Sequence, residues 1–111
     1  MHRRRDGAAV RRPAPVRGAG DHVFHQFVVT TPARDALREH LAAHGIATAI
    51  HYPVPIHRTE AYARADGPSL PVAESLAEQS CSLPMHQSLS AEEIGVVAAA
   101  IHDFEAVRKA A

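Results

Sequence analysis

Histidine is the most prominent chemically active residue type in this sequence, with nine imidazoles among 111 residues. His40 and His44 are four residues apart on a predicted helix, so both rings lie on one face and could share a metal ion. The residues between them are Leu-Ala-Ala, which lack the glutamate of a metalloprotease helix. No third ligand stands at a recognised spacing. A cationic, solvent-facing last helical turn is therefore the favoured interpretation, and we predict no metal site.

A covalent nucleophile is equally poorly indicated. Cys81 is the only cysteine, which excludes an internal disulfide. It follows a predicted apolar helix, so we expect it to pack as a small hydrophobic residue. His86 is near it in sequence, but no oxyanion-hole pattern accompanies the pair. The six glycines are scattered and form no phosphate-binding loop. We predict no catalytic residue.

The most informative segment is Ile-His-Tyr-Pro-Val-Pro-Ile-His, which ends at His57. Its two prolines stiffen the backbone, so the side chains of His51, Tyr52 and His57 are held with little freedom left to lose. Such groups suit the phosphate or hydroxyl groups of a ligand, and Arg58 could add a phosphate contact. The alternative is a rigid surface turn in which Tyr52 and Ile56 plug the core.

Short strands alternating with helices must position these groups. The first strand is apolar on both faces, which predicts that it is covered on both sides. The alternation is typical of an α/β or α+β domain. The predicted elements are strands over 22–31 and 46–51, helices over 31–45, 58–65 and from residue 71, an extended piece over 82–84, and a last helix after residue 90.

Two helices carry clear terminal signals. Thr31 is the predicted N-cap of the first helix and Gly45 its left-handed end, with Leu37 and Leu41 on the buried face. In the last helix, Ser90 with a glutamate three residues later predicts a capping box. The predicted buried stripe of that helix comprises Ile94, Val97, Ile101 and Phe104. The apolar face predicted for the helix from residue 71 comprises Val72, Ala73, Leu76 and Ala77.

The overall charge is balanced, because Lys+Arg and Asp+Glu are both 12. This argues against nucleic-acid or membrane-surface binding. No apolar run approaches the ~20 residues of a membrane span, and no signal-peptide pattern follows the first residues, so we expect a cytoplasmic protein. Residues 1–20 contain six arginines and one aspartate with several prolines and glycines. We interpret them as a disordered basic lead-in to a domain over 21–111.

The sequence resembles the carboxyl-terminal part of the DegT/DnrJ/StrS aminotransferases, pyridoxal-phosphate enzymes that aminate keto nucleotide sugars. The resemblance covers about residues 21–106, in order and without large gaps. The specific part is the HYPVPIH run followed by SLPMH. The matching segments are HVFHQFVV at 22–29, RDAL at 34–37, GIATAIHYPVPIH at 45–57, LPVAE at 70–74, SLPMH at 82–86 and SAEEI at 90–94.

The resemblance implies an α+β fold, namely the small C-terminal domain of a fold-type-I pyridoxal-phosphate aminotransferase, with helices packed on a short sheet. It also implies that His51, Tyr52 and His57 lie on the substrate side of the cleft. The family's large cofactor domain has no counterpart here. Amino transfer through pyridoxal phosphate needs a lysine for the Schiff base, and Lys109 is the only one. We therefore expect no cofactor and no catalytic residue in this chain alone.

Three functional hypotheses remain. The first is a C-terminal fragment or pseudogene product of a sugar aminotransferase, inactive alone. In the family, the full reaction transfers an amino group, usually from glutamate, to a keto nucleotide sugar. The second is a subunit of a split enzyme, complemented by a separately encoded large domain, or a homodimer. The third is a stand-alone module that binds nucleotide sugars.

Overall fold

The computed structural model describes residues 9–14, 17–18, 20 and 22–110. In this part of the chain, strands β1 (Phe27–Thr30) and β2 (Ser80–Leu83) pair antiparallel, with Phe27 opposite Leu83 and Thr30 opposite Ser80. The helices are α1 (Arg34–Ala43), α2 (Pro71–Gln79) and α3 (Ala91–Ala110), and a 3-10 turn spans Ile56–Arg58. These elements confirm the predicted α+β class. None of the described helices is long and apolar enough to cross a membrane.

The core lies where α1 packs on the sheet and on α3. Leu37 and Leu41 of α1 are fully buried, as their spacing predicted. They meet Val29 of β1, Cys81 of β2 and Phe104 of α3, each at most 4% exposed. Burial of a leucine side chain contributes roughly 1.5–3 kcal/mol, so this cluster is the main source of stability in the described chain.

β1 is shorter than the strand predicted over 22–31. Phe24 adopts a positive φ of 47°, which extended strands do not allow. Its N–H donates to Nδ1 of His22 at 2.8 Å instead of to a neighbouring strand. Val23, expected on a covered face, is 90% exposed, whereas Val29 is buried and Val28 is half-buried. The predicted cover on both sides of the strand is therefore wrong over its first half.

The strand predicted over 46–51 is also wrong. Only Ala49 pairs with the sheet, through two backbone hydrogen bonds to Ser82 of 2.7 and 3.2 Å. The Arg38 guanidinium donates to the carbonyl oxygen of Thr48 at 3.3 Å and to its hydroxyl at 3.0 Å. Because a side chain of α1 satisfies this backbone oxygen, the segment needs no further strand partner there.

Most of the lead-in predicted over residues 1–20 lies outside the described residues. Within them, Arg11 exchanges two backbone hydrogen bonds with Thr30, of 2.8 and 2.9 Å, and Val10 packs against the core. Arg11 thus pairs with the edge of β1 that faces away from β2. The domain boundary at residue 20 stays a prediction.

The helix ends largely follow their sequence signals. Gly45 has a φ of 75° after α1. The predicted N-cap Thr31 is wrong: α1 begins at Arg34 with Ala33 as its N-cap and no side-chain cap. The Thr31 hydroxyl accepts the N–H of Ala33 at 3.2 Å and so closes a turn before the helix. At the start of α3, the Ser90 hydroxyl accepts the Glu93 N–H at 3.0 Å, and the Glu93 carboxylate accepts the Ser90 N–H at 3.2 Å. The capping box is confirmed. Of the predicted stripe on α3, Phe104 is buried, whereas Ile94 is 56% exposed.

Candidate functional site

An open groove of about 740 Å³ lies between the 51–57 segment, the loop after it and one face of α2. Each wall follows from local sequence. Two prolines stiffen the 51–57 segment, which ends in the 3-10 turn, and Pro71 at the first helical position begins α2. The groove is lined by His51, Tyr52, Val54, Pro55, Ile56, His57, Ala61, Tyr62, Ala63, Arg64, Gly67, Pro68, Leu70, Ala73, Leu76, Ala77 and Ser80.

His51 is anchored to the sheet. Its Nδ1 is 2.7 Å from the Ser82 hydroxyl, a hydrogen-bond distance. Ser82 is only 6% exposed, so the bond holds the half-buried ring from beneath and leaves Nε2 available. Tyr52 follows through a cis peptide bond, and its ring meets that of His51 edge-on with 5.4 Å between centroids.

The alternative in which Tyr52 and Ile56 plug the core is wrong. Tyr52 is 72% exposed and Ile56 is 74% exposed. Both line the groove instead, so the stiff segment directs these side chains away from the core.

His57 is the least satisfied polar side chain of the described residues. Its side chain is 12% exposed, and both ring nitrogens are buried with no hydrogen-bond partner. Oε1 of Glu74 lies 3.9 Å from Nε2. Buried polar atoms are nearly always paired, so the two His57 nitrogens are an exception among the described residues of the chain.

Glu74 is a site residue that the sequence analysis missed. Its carboxylate accepts the Leu70 N–H at 2.8 Å and the Ser69 hydroxyl at 3.1 Å, and it forms an ion pair with Arg58. Partial burial raises the pKa of Glu74, but the Ser69 hydrogen bond, the Arg58 charge, the Leu70 N–H and His57 outweigh it. The net pKa lies below its usual value. An acidic residue in the first turn after Pro71 was the available signal.

The helix predicted over 58–65 is wrong. After the 3-10 turn, Thr59 is extended, with φ −70° and ψ 154°. Its hydroxyl donates to the Ile56 carbonyl at 2.7 Å, and this local bond competes with helical propagation. The chain continues as an exposed loop that forms one wall of the groove.

The apolar face predicted for α2 exists but does not pack as expected. Ala77 is buried, whereas Leu76 is 50% exposed and Val72 is 74% exposed. Leu70, Ala73, Leu76 and Ala77 recur at helical spacing and line the groove. The apolar face of α2 is therefore a groove wall as much as a core face.

The other candidate groups lie apart from this groove. Nε2 of His40 donates to the Ala100 carbonyl and Nδ1 of His44 to the His40 carbonyl, both at 2.8 Å. The predicted solvent-facing turn is therefore wrong at His40, which is half-buried against α3, whereas His44 is exposed. No third ligand among the described residues joins them. Cys81 is fully buried, as predicted. Burial raises the pKa of its thiol above the usual value, against the opposing effect of a Thr48 hydrogen bond and two arginine charges.

A pyridoxal phosphate cofactor does not fit the residues described here. It needs an amine for the Schiff base, and the only lysine, Lys109, is exposed in the last turn of α3. Lys109 is not among the residues that line the groove. The described chain can contact a ligand from one side but cannot hold this cofactor covalently there.

The chain is similar in fold and in sequence to known aminotransferases. An aminotransferase, TlmJ, from Streptoalloteichus hindustanus superposes with a TM-score of 0.76 at 33% identity, covering 92% of this chain and 27% of that one. The UDP-N-acetyl-3-dehydro-alpha-D-glucosamine 3-aminotransferase of Acidithiobacillus ferrooxidans is 48% identical over 80 residues, which are 72% of this chain and 22% of the relative. The dTDP-3-amino-3,4,6-trideoxy-alpha-D-glucose transaminase of Streptomyces venezuelae is 55% identical over 67 residues, 59% of this chain and 18% of the relative.

The chain thus spans about a fifth of the length of the curated relatives it matches. The family model of the DegT/DnrJ/EryC1/StrS aminotransferases matches residues 6–102, which is most of the chain. This chain belongs to the DegT/DnrJ/EryC1/StrS aminotransferase family.

Proposed function

We propose that this chain is the small, substrate-side domain of a nucleotide-sugar aminotransferase, and that His51, Tyr52 and His57 contact the nucleotide sugar. One observation carries the proposal: both ring nitrogens of His57 are buried in the wall of the groove and have no partner in the part of the chain that the structure describes. A hydroxyl or phosphate oxygen of the ligand would supply the missing hydrogen bond to these nitrogens.

The groove chemistry supports such a ligand. Tyr52 and Tyr62 are exposed aromatic rings on its walls, and flat apolar surfaces suit the base or the sugar ring. Arg64 lines the same groove with an exposed guanidinium, which suits a phosphate. His51 is held by Ser82 and needs no reorganisation to bind.

Amino transfer itself is assigned to a second polypeptide region. We propose that a cofactor-binding large domain supplies the lysine and the pyridoxal phosphate, and that an amino acid, usually glutamate, donates the amino group. The relatives named above are transferases of UDP- and dTDP-linked amino sugars, which supports a nucleotide sugar as acceptor. Alone, the chain is expected to be inactive. A cytoplasmic location stays a prediction from the sequence.

Binding is tested with UDP-N-acetylglucosamine as the probe, titrated into the purified 111-residue chain and followed by NMR. We expect shifts confined to residues that line the groove, with a dissociation constant near or below about 1 mM. His57→Leu should weaken binding about tenfold, because a hydrogen bond between buried groups is lost. His102→Leu on the exposed face of α3 is the matched control. No shifts at millimolar probe, or equal effects of both variants, would contradict the proposal.

A subunit of a split enzyme is the second candidate, and the exposed apolar side chains of Tyr52, Ile56 and Tyr62 favour it, since such surfaces mark contact with another protein. The test combines the chain with a separately produced large domain of the family, pyridoxal phosphate and glutamate. Complex formation and turnover of a keto nucleotide sugar only in the mixture would support it, and no complex would reject it. Turnover by the 111-residue chain alone would overturn both candidates.

A further inference from the structure

The Glu74 carboxylate binds both ends of the loop that forms one wall of the groove. The loop, residues 59–69, leaves the 3-10 turn at Arg58 and returns to α2 at Leu70. Glu74 forms an ion pair with Arg58 at the first end. At the other end it accepts the Ser69 hydroxyl at 3.1 Å and the Leu70 N–H at 2.8 Å. Its side chain is 12% exposed, whereas that of Arg58 is 57% exposed.

Nothing else among the described residues holds the middle of this loop. Residues 60–68 are all exposed, so core packing does not order them. Their backbone hydrogen bonds stay local: Tyr62 and Ala63 donate to Thr59, and Gly67 donates to Arg64. The loop is closed by its own turns and attached to the domain through Glu74.

The same carboxylate lies beside His57. Oε1 of Glu74 is 3.9 Å from Nε2 of His57, while neither nitrogen of that ring has a hydrogen-bond partner among the residues that the structure describes. Both residues also line a side cavity of about 330 Å³ next to the groove, together with Arg58, Arg64 and Ser69. Glu74 thus binds both ends of the loop and lies within ion-pair distance of the His57 ring.

We infer that Glu74 is the positioning residue of the substrate groove, which holds the 59–69 loop as a wall and orients His57 toward the ligand. The inference rests on the proposed function for its consequence, the binding of a nucleotide sugar. The attachment of the loop to Glu74 and the effect of this carboxylate on the nearby imidazole are measurable without any ligand.

The test compares Glu74→Gln with Glu78→Gln, the same change one turn further along α2 at an exposed position. Glutamine keeps the size of Glu74 and an acceptor for the Leu70 N–H but lacks the charge that holds Arg58. Ser69→Ala removes one bond to the carboxylate and leaves the charge in place. It carries the test should Glu74→Gln fail to fold.

The first readout is limited trypsin digestion of the full chain, with mass spectrometry to assign each cut. Cleavage after Arg64 in the loop should be about tenfold faster in Glu74→Gln than in Glu78→Gln, with Ser69→Ala between them. The second readout is the pair of ring ¹⁵N signals of His57, which should move in Glu74→Gln and stay in place in Glu78→Gln. Equal cleavage rates and unmoved His57 signals would overturn the inference.

Failure here is distinguishable from failure of the proposed function. If UDP-N-acetylglucosamine binds the unaltered chain, Glu74→Gln should weaken it about tenfold and Glu78→Gln should not. If the unaltered chain binds no probe while Glu74→Gln frees the loop and shifts the His57 signals, the proposed function is wrong and the role of Glu74 in the loop stands. If the probe binds equally to both variants, Glu74 does not position the groove.

Discussion

Two regions of this molecule treat their apolar residues in opposite ways. In the core, Leu37 and Leu41 are 0% exposed between the sheet and α3. In the groove, Tyr52, Ile56 and Tyr62 are each 69–74% exposed, although the two prolines of the segment hold its backbone stiffly. Both regions are rich in large apolar side chains, so composition does not separate them. They differ in whether this chain provides the opposing surface.

This difference indicates which residues stabilise the chain and which serve a contact with something else. Apolar side chains in the core contribute through burial. Those in the groove contribute little to folding while they remain in water, and a cluster of them marks a binding surface. The exposed apolar wall is consistent with a chain that spans about a fifth of its curated relatives.

The largest effect that would sharpen this contrast is a truncation in the core. Leu41→Ala should lower the free energy of unfolding by about 2–5 kcal/mol, because it removes a fully buried side chain and leaves a cavity. The matched variant Ile56→Ala, at a position that is 74% exposed, should change it by less than about 0.5 kcal/mol. Urea unfolding measures both. Equal losses in the two variants would mean that the groove is part of the folding core.

The next effect concerns the connection between the two regions. The Arg34 guanidinium on α1 donates to the carbonyls of Ala77 and Ser80, at 2.8 and 3.1 Å, where α2 ends. Arg34→Met should cost about 1.5–3 kcal/mol, since two charge-assisted bonds to the end of α2 are lost. Lys109→Met, an exposed change in the last turn of α3, is the control.

The loss in Arg34→Met should also reach the groove. Amide hydrogen exchange should rise in α2 more than in α1, because α2 loses its attachment to the core. An equal rise in exchange across both helices would show that the two regions unfold as one unit. The core and the groove would then not differ in stability.

The sequence predicted the core better than the groove for a physical reason. The spacing of Leu37 and Leu41, the positive φ of Gly45 and the capping box at Ser90 depend on neighbours within a few residues, and all were confirmed. The strand predicted over 46–51 failed because Arg38, ten residues earlier than Thr48, satisfies its backbone. Helix 58–65 failed because the Thr59 hydroxyl closes a local turn.

In the candidate site, the residues that line the groove were predictable from the sequence, but the residues that hold them in place were not. The stiff His51–His57 segment identified the groups that line the groove. The role of Glu74 depends on its meeting Arg58, which is 16 residues away, and that of Ser82 on its meeting His51, 31 residues away. Contacts at such separations follow from the fold and leave no spacing signal in the sequence.

A smaller effect is expected at the start of α3. Ser90→Ala should lower the free energy of unfolding by about 1 kcal/mol, because the first turn loses its capping acceptor. Ser88→Ala, two residues earlier in an exposed turn, is the matched control. The change should leave trypsin cleavage after Arg64 unaltered, because the cap belongs to the core side of the molecule. Faster loop cleavage in Ser90→Ala would contradict the separation of the two regions.

The smallest expected effect is the pH titration of one carboxylate in each region, Glu93 in α3 and Glu74 beside the groove. The Ser90 N–H and hydroxyl lower the pKa of Glu93, with burial opposing them. At Glu74, burial raises the pKa, but the Ser69 hydroxyl and Arg58 lower it by more, so the net pKa shift is again downward. A carboxylate with a depressed pKa in the folded state stabilises the protein above its usual value of 4.5, and this contribution is lost as the pH falls through the depressed pKa.

NMR of the Ser90 and Leu70 amides, which donate to these two carboxylates, should therefore show titration midpoints below pH 4.5. The two midpoints should respond to different changes. Ser69→Ala should raise the Leu70 midpoint alone, and Ser90→Ala should raise the midpoint of Glu93 alone, because the carboxylates share no partner among the described residues. Midpoints at or above 4.5 would remove the stabilising role of both groups. If one substitution moved both titration midpoints, the two carboxylates would be coupled, and the separation of the two regions would be wrong.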